Sequence, residues 1–251
     1  MTPFRERLAQ GRSLIGLWQA LANPYTAEIC AGAGYDWLLI DGEHAPNTLQ
    51  TLVAQLQAVA PYPVEPIARV PVGDPAIIKQ YLDLGFRTLL VPMMESAAQA
   101  ERTVAACRFP PLGIRGVASA TSRASGFGRD LDYLRHAHEN VTLIVQIESG
   151  AGLEAIDAIA ATPGVDALFI GPADLAASLG HLGDPRHPAV QSAVSLALQR
   201  IAAAGKPAGI FALSPEDART RIAAGIGFVS VGTDIGLLAN GAKALRETVL
   251  H

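Results

Sequence analysis

Eight short apolar runs recur along the chain, each followed by a longer amphipathic stretch, and this alternation limits the fold more than any other feature. The runs are Leu14–Leu21, Trp37–Asp41, Glu65–Val70, Thr88–Met93, Thr142–Glu148, Ala167–Gly171, Ala208–Ala212 and Phe228–Gly232. Between them the pattern predicts helices over Pro24–Ala33, Thr48–Ala60, Pro75–Leu84, Ser96–Cys107, Gly152–Ala161, Ala189–Ala204, Pro215–Ala224 and Leu237–Val249. Asn23-Pro24, Asp74-Pro75 and Ser214-Pro215 each set a capping residue before a first-turn proline. Gly34, Gly85, Gly205 and Gly225 stand where a left-handed helix end prefers glycine. Eight uninterrupted βα units predict an α/β fold, a single-domain (β/α)8 TIM barrel over residues 1–251. A doubly wound open sheet is the alternative, but Ala20-Leu21-Ala22-Asn23 after the first strand lacks a glycine-rich dinucleotide turn.

Half the residues are hydrophobic, with Ala, Gly, Leu, Ile and Val dominant, which suits packed barrel layers. The formal net charge is −4 and no basic patch is interleaved with aromatics, so nucleic acid is not an expected partner. Cys30 and Cys107 have neither metal nor disulfide spacing and read as buried free thiols. The first residues lack a signal peptide's apolar run, and no apolar stretch approaches the roughly 20 residues of a membrane span. A cytoplasmic protein without a membrane partner is expected. The connection from about Phe109 to Asn140 breaks the rhythm, and a loop that long usually carries function or an oligomer contact.

In such barrels chemistry gathers at the C-terminal ends of the strands. There the sequence offers Trp18-Gln19, Asp41-Gly42-Glu43-His44, Arg69, Gln146-Ile147-Glu148 and Gly171-Pro172-Ala173-Asp174. Glu148 and Asp174 come from adjacent strands, where two carboxylates repel unless a cation or a proton lies between them. A hard divalent ion suits such a pair, with water and substrate oxygens completing its shell. A general acid/base pair is the competing reading. Zinc is disfavoured, since no Cys or His cluster accompanies the acids. Arg69 suits an oxyanion or carboxylate, or else a structural ion pair. His44, three residues after Asp41, is placed for a carboxylate–imidazole bond that would prepare a general base, unless Asp41 only caps the turn. His136, His138, His181, His187 and His251 read as surface residues.

The lysines sharpen the chemistry. Lys79 and Lys243 fall in helices and Lys206 precedes the seventh strand, so no lysine is placed for a Schiff base. Carbonyl chemistry in this barrel would then need a metal ion to stabilise an enolate.

Asp41-Gly42-Glu43-His44-Ala45-Pro46, Ala68-Arg69-Val70-Pro71, Leu90-Val91-Pro92-Met93, Gly113-Ile114-Arg115-Gly116, Gln146-Ile147-Glu148-Ser149 and Gly171-Pro172-Ala173-Asp174-Leu175 together resemble the HpcH/HpaI aldolase family. Within it the chain is most similar to the 4-hydroxy-2-oxoheptanedioate and 2-dehydro-3-deoxy-sugar-acid aldolases. The resemblance runs along essentially the whole chain in order.

It implies a metal-dependent aldolase that cleaves 4-hydroxy-2-oxo acids to pyruvate and an aldehyde. Glu148 and Asp174 would hold Mg2+, Mn2+ or Co2+, and Arg69 would polarise the 2-oxo oxygen. Asp41 and His44 would manage the proton through water. Trp18 and Gln146 would line the pocket, and the amides around Ala173 and Asp174 would cradle the carboxylate. A hexamer is implied, with Asp83 contributed across an interface. Acceptor specificity would lie in Ser119–Gly128 and around Phe211-Ala212-Leu213. Arg115 and Arg123 could hold a distal acid, or equally be solvated or interface charge. A citramalyl- or malyl-CoA-type lyase, a phosphosugar isomerase and a non-catalytic sensor remain as rivals.

Overall fold

The computed structural model describes residues 2–250. Its elements are α1 (Phe4–Leu8), β1 (Leu14–Gln19), α2 (Pro24–Gly32), β2 (Trp37–Asp41), α3 (Leu49–Val59), β3 (Glu65–Arg69), α4 (Pro75–Leu84), β4 (Thr88–Val91) and α5 (Ala97–Ala106). They continue with α6 (Tyr133–His136), β5 (Thr142–Ile147), α7 (Gly150–Ala161), β6 (Ala167–Ile170), α8 (Pro172–Ser178), α9 (Pro188–Ala203), β7 (Ala208–Phe211), α10 (Pro215–Ala223), β8 (Phe228–Thr233) and α11 (Asp234–Leu250). All eight strands are parallel and close in sequential order, β8 pairing with β1. This is the expected (β/α)8 barrel.

Local chemistry explains the element boundaries. The Asn23 and Asp74 side chains accept hydrogen bonds from amides of the first helical turn, and Ser214 accepts from the Asp217 amide. Gly85 at φ 102° closes α4, and Gly34, Gly205 and Gly225 also take positive φ at helix ends. Each strand alternates between two apolar environments. Leu14, Trp18, Trp37, Leu39, Ile67, Leu90, Ile144, Ala167, Phe169 and Phe228 fill the barrel interior. Leu38, Ile40, Ala68, Leu89, Val91, Val145 and Ile170 face the helices. Interior glycines make room for the large rings: a methyl group on Gly16 would overlap Trp37, and one on Gly209 would overlap Phe228.

Two features were not legible in the alternating pattern. Helix α1 closes the N-terminal end of the barrel, with Phe4 fully buried edge-on against Phe228 at 5.9 Å between ring centroids. At the other end of the chain, α11 packs mainly where it leaves β8 and β1, and residues 237–250 are exposed. Its exposed side chains include Leu237, Leu238, Leu245, Val249 and Leu250. The eighth helix therefore does not cover its own barrel as the repeating pattern implies.

The connection after α5 contains two short 3-10 segments and α6. It folds against the end of α4, where Ser122 donates to the Asp83 carbonyl and Arg123 to the Leu84 carbonyl. Cys107 is buried, and burial pushes its thiol up to about 12; Cys30 is half-buried. Among the described residues no helix is long and apolar enough to cross a membrane.

Candidate active site

The period of two that fills the barrel also aims the polar residues. Asp41 follows interior Trp37 and Leu39, Arg69 follows Ile67, and Gln146 and Glu148 follow Ile144. Each polar side chain thus enters at the C-terminal end of the barrel on the apolar residues' own face. Asp41 and Arg69 are register partners on β2 and β3. Trp18, Asp41, Arg69, Gln146 and Glu148 are all buried.

Asp41 is the most heavily engaged. It accepts from Arg69 Nε at 2.9 Å and Nη2 at 2.5 Å, and from Trp18 Nε1 at 3.1 Å. It also accepts from the backbone amides of Glu43, at 2.9 Å, and His44, at 3.3 Å. Burial alone would push this carboxyl up, but Arg69, the Glu43 amide and Trp18 outweigh it and hold the group below its ordinary value. The turn after β2 rests on the Tyr81 side chain: a methyl group on Gly42 would overlap the Tyr81 hydroxyl, and the Gly42 amide donates to the Arg69 carbonyl at 2.8 Å.

The expected Asp41–His44 side-chain bond is not formed. The Asp41 carboxylate is filled by Arg69, Trp18 and two amides, so it caps the turn and pins the arginine. His44 stands exposed at the mouth, where its charge acts on Glu43. Trp18 also has a different task from simple pocket lining. Its ring lies 5.0 Å from the Arg69 guanidinium carbon and packs against Phe169 at a tilt and Phe211 edge-on, so it supports Arg69 from one face.

Glu148 takes its orientation from two neighbours. The Met93 amide donates to Oε1 at 2.9 Å and Gln146 Nε2 donates to Oε2 at 2.6 Å. Met93 holds its amide there with φ at 53°, an uncommon backbone for a residue other than glycine, of the kind that collects at functional sites. Burial first, then the charges of Asp174 and Glu43, push the Glu148 carboxyl up to about 7. Asp174 is exposed in the first turn of α8, whose N-cap Gly171 offers no side chain to the Ala173 and Asp174 amides.

Several observations suit a cation here. The charges of Asp174 and Glu43 raise the cost of ionising Glu148, and that of Asp174 also raises the cost of ionising Glu43. Gln146 Oε1 is buried with no hydrogen-bond partner among the described residues. Gly171 keeps space over the carboxylate, since a methyl group there would come within 2.6 Å of Gln146 Nε2 and Glu148 Oε2. Among the described residues no group of three or more His, Cys, Asp or Glu is arranged as a complete protein cage. Two acids completed by water and substrate oxygens match a hard divalent ion.

Other predicted contributors lie elsewhere in the chain. Asp83 sits in the last turn of α4, toward the opposite end of the barrel, paired with Arg115 at 2.6 Å. Arg115 is buried, stacked over Phe109 and bonded to the Tyr133 hydroxyl, and Arg123 is spent on a carbonyl of α4. Neither reaches the mouth of the barrel, and Ser119–Gly128 lies with them. Phe211, by contrast, reaches the site through Trp18. Sequence reasoning gave Glu43 no role. It forms an ion pair with Arg69 Nη1 at 2.9 Å, and its parity with Asp41 was the available signal.

Residues 14–241 match the sequence model of the HpcH/HpaI aldolase/citrate lyase family. A hydroxypyruvate/pyruvate aldolase of Deinococcus radiodurans is 58% identical over 98% of this chain and 88% of its own length. A 4-hydroxy-2-oxo-heptane-1,7-dioate aldolase of Salmonella arizonae is 52% identical over 96% of this chain and 92% of its own. The crystal structure of a family protein from Burkholderia cenocepacia superposes with a TM-score of 0.96 at 44% identity, covering 99% of both chains. From barrel to strand-end residues, the chain belongs to the HpcH/HpaI aldolase/citrate lyase family.

Proposed function

We propose that the protein is a carbon–carbon lyase, a divalent-metal-dependent pyruvate aldolase that reversibly cleaves 4-hydroxy-2-oxo acids to pyruvate and an aldehyde in the cytoplasm. The single observation that supports this best is a pinned Arg69 facing mutually repelling Glu148 and Asp174 in a barrel with no lysine at its mouth. Lys206 donates to the Val165 carbonyl, and Lys79 and Lys243 lie on α4 and α11. Pyruvate release from a panel of 4-hydroxy-2-oxo acids, hydroxypyruvate-derived ones included, tests the reading; no release from any of them rejects it.

Glu148 and Asp174 would hold Mg2+, Mn2+ or Co2+, which when bound supplies Lewis-acid stabilisation of an enolate. Arg69 donates to the 2-oxo oxygen as negative charge gathers there during C3–C4 cleavage. Its orientation is fixed beforehand by Asp41 and Trp18, so little reorganisation is needed at the moment of reaction. His44 takes the C4 hydroxyl proton through water, and its exposure lets it exchange that proton with solvent. Gln146 turns its free Oε1 toward bound substrate, and the Ala173 and Asp174 amides receive the carboxylate.

Arg69→Lys should cut cleavage by roughly 10²-fold or more, since an ammonium cannot reproduce the guanidinium's fixed donors. Steady-state kinetics on the variant check this; near-normal turnover returns Arg69 to a structural role.

The raised Glu148 carboxyl sets a pH dependence. Its folded value, about 7, lies above the ordinary 4.5. In metal-free protein the stability it contributes is therefore present below about 4.5 and lost as pH rises through about 7. Cation binding must displace that proton. Affinity for Mn2+ should rise by up to about tenfold per pH unit toward neutrality, then level off. Calorimetric titration at pH 6 and 8 measures it, and a flat profile would mean an ionised Glu148 throughout.

The same reading includes a homo-oligomer, the hexamer that the resemblance implies. The exposed apolar face of α11 favours coverage by a second copy, and Asp83 lies where only a neighbour's site could use it. Of the rivals, a phosphosugar isomerase is disfavoured by Asp234. This carboxylate takes the Ala20 and Leu21 amides at 2.7 and 3.2 Å and would repel a phosphate. A CoA-thioester lyase lacks a basic surface for the CoA phosphates, and the intact Asp41, His44 and Arg69 disfavour a sensor.

A further inference from the structure

Glu43 is half-buried among Asp41, Asp174 and Glu148, which is poor company for another carboxylate. Its Oε2 is buried and makes no hydrogen bond of good geometry. Its one strong partner is Arg69 Nη1, at 2.9 Å. Burial pushes the Glu43 carboxyl up, and the charges of Arg69 and His44 oppose that push.

Counting donors shows what the contact achieves. A guanidinium has five N–H groups in a rigid fork. Asp41 takes the one on Nε and one on Nη2. Glu43 Oε2 lies 2.9 Å from Nη1 as a charge contact and takes none of the donors in a hydrogen bond of good geometry. Both protons on Nη1 and one on Nη2 remain, and those two atoms form the outer end of the fork. Trp18 covers one face of the plane. Charge matters as much as direction. Arg69 between the carboxylates of Asp41 and Glu43 presents little uncompensated positive charge, which discourages binding of stray anions while leaving polarised donors for a carbonyl oxygen.

We propose that Glu43 is a positioning residue that clamps Arg69 from the side opposite Asp41, leaving the outer donors free and keeping the arginine from being captured by anions. The inference rests on the aldolase reading for its kinetic consequence, and on the ion pair alone for its structural one.

The test uses Glu43→Gln, which keeps shape and an acceptor but removes the charge, with Glu43→Asp as the conservative variant and Glu43→Ala for rescue. Three readouts are taken. Labelling of Arg69 by phenylglyoxal, followed by peptide mass spectrometry, should rise several-fold in Gln and Ala variants. Turnover should fall by about 10- to 100-fold, as for loss of one charge-assisted contact, while KM for the 2-oxo acid does not rise. Simple anions such as sulfate should inhibit Glu43→Gln more strongly than the parent. Formate should restore part of the Glu43→Ala rate, and Glu43→Asp should lie between parent and Gln.

Unchanged Arg69 labelling together with weakened Mn2+ binding overturns the proposal and assigns Glu43 to the cation. Loss of fold in Glu43→Gln moves the comparison to Glu43→Asp, where parent-like labelling, turnover and anion inhibition together overturn it. If the parent protein releases no pyruvate, the aldolase reading fails, and Arg69 labelling still decides the clamp.

Discussion

Stripped of divalent cations by a chelator, the protein should stop releasing pyruvate, and Mg2+, Mn2+ or Co2+ should restore it. The expected loss is on the order of 10³-fold or more, since Lewis-acid stabilisation of an enolate is worth several kcal/mol. Glu148→Gln and Asp174→Asn should reproduce the loss, and Glu148→Gln should do so without destabilising the fold. The amide keeps the bond to the Met93 backbone and removes a buried charge that Asp174 and Glu43 oppose. At pH 8 the metal-free Glu148→Gln protein should therefore melt no lower than the parent while being inactive. A variant that melts well below the parent would place Glu148 in structure. Borohydride trapping of pyruvate on a lysine would sink the metal mechanism altogether.

His44→Ala should lower retro-aldol cleavage by about 10²–10⁴-fold, the range of a positioned general base. Exchange of pyruvate methyl protons in deuterated water should fall less, because in the proposed mechanism enolate formation would need Arg69 and the cation but not the base for the C4 hydroxyl. Metal affinity should be little changed. Asp41→Asn behaves differently from what adjacency in sequence suggests. The Asp41 carboxylate is bound to Arg69 and Trp18, not to the imidazole, so a neutral amide in its place would leave a buried guanidinium short of a charge partner. Losing one member of such a pair costs about 3–5 kcal/mol. The variant should suffer in stability, in cleavage and in exchange together, whereas His44→Ala loses cleavage selectively. If both variants lose cleavage and exchange in equal proportion, His44 is not the C4 base.

The barrel was legible because βα alternation is a long-range pattern, and caps such as Asn23, Asp74 and Ser214 marked where helices start. The site was legible in part for a related reason: a polar residue two positions beyond an interior apolar one must enter the same cavity. Partnership was not legible. Asp41 and His44 are three apart in sequence, yet Asp41 pairs with residues 28 and 23 positions away, because β2 lies between β1 and β3. The Met93 amide left no trace, since nothing about a methionine announces a positive φ. Helix α8 could have been found from Pro172 after Gly171, a first-turn proline like those that marked α2, α4 and α10. The path of α11 could not, because its apolar residues look the same whether they cover its own barrel or another.

The tethering of Asp41 to β1, β3 and its own turn bears on redesign. A residue that joins three segments through five acceptor contacts is a poor place to introduce diversity, and so are Arg69 and Trp18, which share its bonds. Phe211 is only partly buried, touches Trp18 by its ring edge, and leads into the short connection before α10. Libraries aimed at new aldehyde partners should therefore be built at the partly buried Phe211 and Leu213, and not at Ala212, which is buried in the core.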